Sequence, residues 1–142
     1  MSASRNDTPK PRTEWGPAPS LDDMAAMAQA ALDALEPPFR EPARAVAIRV
    51  EDFADEETLE KMHIDDPWEL TGLYSGVALT LELNSAPSTI PPVVWLYRLP
   101  ILDEWMASEG VALEDLVAHV LVHELGHHFG WSDEEMHQAL GE

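Results

Sequence analysis

His123-Glu124-Leu125-Gly126-His127-His128-Phe129-Gly130-Trp131-Ser132-Asp133 is the stretch around which the chain is organised. His123 and His127 stand one helical turn apart, so on a helix their imidazoles leave the same face. Two neutral imidazoles at that spacing can bind one zinc ion. Glu124 follows the first of them and can reach a water on that ion. Zinc brings the pKa of such a water towards ~7, and a carboxylate can take its proton and pass it to a leaving group. A metal, a base and an open coordination position together make a hydrolytic site.

If one position is left for water, two histidines need a third protein ligand. Gly130 lets the backbone leave the helix and fold back. Asp133 then falls where a third ligand is expected in a histidine-glutamate pattern with a downstream glycine. A carboxylate in place of the more usual histidine is chemically acceptable, because zinc takes carboxylate oxygen. Glu134 and Glu135 are rivals if the turn is built differently, and His137 is a stronger one if a returning terminal helix aims it at the metal. His128 points about 100° away from His127 and is expected to pack or bond elsewhere. His119 shares the face of His123 but lies about 12 Å along the axis from His127, so those three cannot ligate one ion. The short tail after His127 leaves little room for a glutamate ligand on a distant second helix.

The helix carrying the motif is expected over Ala112 to His128. Leu113, Leu116, Val117, Val120 and Leu121 form its buried face, and Glu114 and Asp115 stand at its positive end. A terminal segment, Asp133 to Leu140, has room for one or two further helical turns. Upstream, Val93 to Leu99 alternates as a strand, with Pro100 ending it and a short helix or turn over Ile101 to Ser108. Residues 84–92 read as a loop, and Leu70 to Leu83 as a β region in which Gly72 and Gly76 suggest a bend or a hairpin. Residues 54–69 are acidic and irregular, with a helical turn near Glu56 to Met62, a turn at Asp66-Pro67 and a surface histidine, His63. Ala45 to Phe53 alternates, with Val46, Ile48 and Val50 on one face. Ser20 opens a helix whose Leu21, Met24, Ala28, Ala31, Leu32 and Leu35 share a face, and Pro37-Pro38 stops it. This order predicts an α+β domain over residues 20–142, a short sheet packed against two main helices. Residues 1–19 carry Pro9, Pro11, Pro17 and Pro19 without apolar periodicity, and are expected to be a disordered tail.

The 142 residues suffice for one domain with a real core. The net charge of −19 argues against binding a phosphate backbone, so no nucleic-acid partner is expected. There is no cysteine, hence no disulfide, thiolate metal site or cysteine nucleophile. No signal-like stretch opens the chain, and no apolar run reaches the ~18 residues that span a bilayer. The expectation is a soluble, cytoplasmic protein without a membrane partner.

The run His123 to His137 resembles the closing segment of a family of small bacterial zincin-like metallopeptidases, once catalogued as a domain of unknown function. Asp66-Pro67-Trp68-Glu69-Leu70-Thr71-Gly72-Leu73-Tyr74-Ser75-Gly76 and Leu96-Tyr97-Arg98-Leu99-Pro100-Ile101-Leu102 are similar to earlier blocks of that family. The resemblance covers roughly residues 20–140. It implies a minimal zincin fold: a short mixed sheet, a supporting helix and a C-terminal active-site helix. It implies one Zn2+ ion held by His123, His127 and Asp133, with Glu124 as the catalytic acid/base. The chain departs from the family after Gly76, where Val77 to Leu83 stands in place of a proline and a later basic residue.

The leading expectation is therefore a zinc metallopeptidase acting on a peptide or protein, with Tyr97 or Arg98 on the third strand as candidates to line the substrate. The alternative is a metal-binding module without hydrolysis that regulates a partner through its acidic surface. A metal-dependent nuclease is disfavoured by the charge and by the glutamate at position 124.

Overall fold

The computed structural model describes residues 18–76 and 91–142. Residues 1–17 of the expected tail, the strand residues expected after Gly76 and most of the following loop lie outside that range. Helix α1 (Leu21–Asp33) starts as the capping argument requires. The Ser20 hydroxyl accepts the Asp23 N–H at 3.0 Å, and the Asp23 carboxylate accepts the Ser20 N–H at 2.9 Å. This reciprocal pair satisfies two donors that a helix start leaves open. Met24, Ala28 and Leu32, one turn apart, face inward.

Pro37-Pro38 does not end this helix. α1 has already closed at Asp33, and the two prolines open a second helix, α2 (Pro37–Ala43), at its first positions. There the missing N–H has no intrahelical partner to lose, and the fixed φ suits the helix. Strand β1 (Ala47–Glu51) and the short helix α3 (Glu56–Lys61) follow. Asp55 caps α3, and hydrogen bonds from the Thr58 side chain and backbone hold its carboxyl below the ordinary value. His63 is exposed, as expected, and closes the segment in the left-handed region at φ 57°.

A 3₁₀ turn at Pro67–Glu69 leads into β2 (Gly72–Ser75), and β3 (Val93–Tyr97) completes the described sheet. Its order is β1-β3-β2. β3 runs parallel to β1, with Ile48 opposite Val94, and antiparallel to β2, with Gly72 opposite Leu96. The architecture is α+β with a small mixed sheet, in agreement with the minimal zincin-like fold.

The alternation read in β3 has a direct structural meaning. Val94 and Leu96 enter the main core with Met24, Leu32, Val117, Leu121 and Leu125. Trp95 and Tyr97 face the other way, into a smaller cluster with Ala54, Leu59, Leu70 and Leu73.

The strand is shorter than expected at its end. It stops at Tyr97, and Arg98 begins helix α4 (Arg98–Ala107), with Pro100 inside its first turn. A proline there forfeits no intrahelical bond, so it starts the helix and does not merely end a strand. Arg98 is spent on structure: its Nε donates to Asp52 Oδ1 at 2.7 Å, and its Nη1 donates to the Pro19 carbonyl at 2.9 Å. Because β3 is flanked on both sides, it offers no free edge for a substrate strand. That removes Tyr97 and Arg98 as edge-lining residues. Helix α5 (Leu113–Phe129) and the terminal α6 (Asp133–Ala139) close the fold. No helix among the described residues is long and apolar enough to cross a membrane.

Candidate metal centre

α5 packs lengthwise across α1 and the sheet, and its burial pattern explains how one helix holds both core and chemistry. Leu113, Val117, Leu121 and Leu125 are buried, while His123 and His127 face solvent. Glu124 lies between these faces and is only 8% exposed. It fits there because β2 presents Gly72: a Cβ at that position would stand 3.3 Å from Glu124 Cγ and 2.7 Å from Val120 Cγ1. The absent side chain lets α5 approach the strand and brings the carboxylate against the sheet.

Among the described residues, the group able to hold a metal ion is His123, Glu124 and His127, with one ligand atom of each lying within 4.8 Å of the others. The two imidazole centroids are 5.1 Å apart, and His127 Nδ1 is 3.8 Å from Glu124 Oε1. The donor chemistry suits a borderline-soft divalent ion: imidazole nitrogens one turn apart, exposed, with a carboxylate beside them. Zinc fits this set.

The chain leaves α5 through Gly130, in the left-handed region at φ 72°. The Gly126 carbonyl accepts the N–H of Gly130 at 2.7 Å and that of Trp131 at 3.1 Å, closing the helix end. Trp131 then stacks on Phe129 at 5.1 Å and meets Phe39 of α2 edge-on at 5.2 Å. These contacts bend the chain back towards the motif. Ser132 caps α6, its hydroxyl accepting the Glu135 N–H while the Glu135 carboxylate accepts the Ser132 N–H.

Asp133 is the first residue of α6 and stands outside the three-residue group. It lines a cleft of about 240 Å³ with His119, His123, Met136, His137 and Glu142. The Glu142 carboxylate engages two of those neighbours, lying 3.0 Å from His119 Nε2 and 3.1 Å from His137 Nδ1. His119 is exposed, and its Nδ1 is 2.7 Å from the Asp115 carbonyl. His128 behaves as its helical direction dictates: it is 6% exposed, points away from the cleft and shares a 2.6 Å hydrogen bond with the Tyr74 hydroxyl of β2.

Behind the sheet, burial pushes the Tyr97 hydroxyl up to about 12, with the negative charges of Asp55, Glu51 and Glu124 adding to it. Tyr97 therefore stays protonated. The contributions of Gly72, Tyr74 and Met136 were not foreseen from the sequence. Gly72 carried the one available signal, a glycine inside a strand pattern, which often marks a close backbone approach.

No curated protein matches the chain. The profile of the zincin-like metallopeptidase family matches residues 43–141, which takes in the sheet, α4, the motif helix and the returning α6. On that match, joined to the fold and to the histidine-glutamate-histidine group, the chain belongs to the zincin-like metallopeptidase family.

Proposed function

We propose that the protein is a zinc-dependent peptidase in which His123, His127 and Asp133 hold one metal ion and Glu124 moves the proton. The observation that carries this reading is the placement of Glu124, a nearly buried carboxylate beside two solvent-facing histidines of one helix face. Zinc, when bound, supplies a Lewis acid that polarises the scissile carbonyl and acidifies water.

Glu124 takes a proton from the attacking water and delivers it to the amide nitrogen as the C–N bond breaks. Packing against Gly72 limits the conformations of its side chain, so little freedom is lost when it acts. The hydrogen bonds around α6 support Asp133 over its rivals. Glu135 is committed to the cap of α6, and His137 faces Glu142. Glu134 does not line the cleft that His123 and Asp133 share. The substrate is a peptide or protein, as the family implies.

The test is the zinc content of the purified protein together with cleavage of a broad peptide library. One zinc per chain with cleavage supports the proposal. One zinc with no cleavage of any peptide favours the non-catalytic metal-binding module.

A further inference from the structure

Gly126 lies on α5 between the two motif histidines, and it is buried. What buries it is Met136 of α6. A Cβ at position 126 would stand 2.9 Å from the Met136 thioether sulfur, 3.5 Å from its Cγ and 3.8 Å from its Cε. The methionine thus lies along the gap that the glycine leaves in the helix surface. The same Gly126 supplies the carbonyl that ends α5 through the Gly130 and Trp131 N–H groups. One residue therefore both releases the chain from α5 and receives it again. On α6, Met136 follows Asp133 by three positions, so the two share a side of the helix. Both line the cleft that contains His123.

We infer that Met136 is a positioning residue: seated against Gly126, it sets the register of α6 on α5 and so the distance of Asp133 from the two histidines. This rests on the proposal that Asp133 is the third ligand. A thioether suits the task because it is unbranched and fills a narrow gap without a hydrogen-bond requirement. Residues that orient metal ligands typically change metal affinity about 10- to 100-fold when removed, and that is the scale on which Met136 acts.

The experiment uses the full chain, with zinc affinity measured by competition against a chromophoric chelator and coordination read from the visible absorption of the Co2+-loaded protein. Met136→Ala is expected to weaken zinc about 10-fold and to alter the Co2+ ligand-field bands, while circular dichroism stays native. Met136→Leu, which refills the gap, is expected to recover most of the affinity. Gly126→Ala is expected to displace the methionine and weaken zinc similarly. The double variant Gly126→Ala/Met136→Ala is expected to lose less than the two single losses combined, because the new methyl occupies part of the vacated space.

Zinc affinity and Co2+ bands unchanged in Met136→Ala and Gly126→Ala would overturn the inference. Asp133→Ala separates this from the proposal beneath it. If that variant binds zinc as tightly as the parent, the third-ligand assignment fails. If it loses zinc while Met136→Ala does not, the assignment stands and the positioning role fails. Should Met136→Ala not fold, Met136→Leu against Gly126→Ala still decides: a native parent-like spectrum in both contradicts the inference.

Discussion

Gly72 of β2 and Glu124 of α5 are in such close contact that even one methyl group on the glycine would come within 3.3 Å of the glutamate Cγ. The same methyl would stand 2.7 Å from Val120 Cγ1 and 3.2 Å from the Trp95 carbonyl, so backbone and β-branched side chain block its escape. The catalytic carboxylate of the proposal is therefore held against the sheet by a missing side chain.

Gly72→Ala follows directly. Overpacking of this kind costs about 1–3 kcal/mol, and here the displacement falls on α5 and on Glu124. We expect a lower Tm and a loss of peptidase activity larger than the loss of zinc affinity. Thermal unfolding beside a chelator competition measures both. An unchanged Tm and unchanged activity would show that the strand and helix tolerate the extra volume.

Tyr97 supplies a spectroscopic check on the far face of the sheet. Burial, chiefly, raises its folded pKa to about 12 from the ordinary 10.0. The protonated form is the one the fold favours. Its contribution to stability is thus complete below pH 10 and is lost as the pH rises through about 12. In a Tyr74→Phe background, where Tyr97 is the remaining tyrosine, absorbance of the phenolate should rise near pH 12. Ionisation near pH 10 in the folded protein would mean that Tyr97 is solvated.

Arg98 is assigned to structure, through Asp52 and the Pro19 carbonyl. Arg98→Ala should destabilise the fold by about 1 kcal/mol and leave KM for a cleaved peptide unchanged. A rise in KM without loss of stability would return Arg98 to the substrate cleft.

The contrast between Arg98 and Gly130 shows what was legible in the sequence. α5 could be read closely, because its apolar spacing, the acids at its start and Gly130 at its end are all local signals, and its ends fell within a residue of the expectation. Ser20 as a cap and the alternation of Val94, Trp95, Leu96 and Tyr97 were legible for the same reason. The prolines at these two sites misled, since Pro37-Pro38 and Pro100 are compatible with a stop and with a start, and only the tertiary path selects between them. The central place of β3 and the fit of Met136 to Gly126 arise between segments far apart or folded back on each other. No periodicity in the sequence records them.

If zinc is held as proposed, by His123 and His127 of α5 and by Asp133 of α6 across the Gly130 turn, it should stabilise the fold as well as support hydrolysis. Free zinc at 100 times its Kd adds about 2.7 kcal/mol. Removing it with a chelator should lower Tm, and readdition should restore it. A Tm indifferent to zinc would place the ion elsewhere.

The central claim is that Glu124 acts on protons and leaves metal binding to its neighbours. Glu124→Gln keeps the shape of the side chain and removes the base. Zinc content and peptide cleavage, measured on the same preparation, test the claim most directly. The variant is expected to keep a full zinc complement, with cleavage reduced about 10²- to 10⁴-fold. Cleavage at the parent rate by the zinc-loaded Glu124→Gln protein would contradict it.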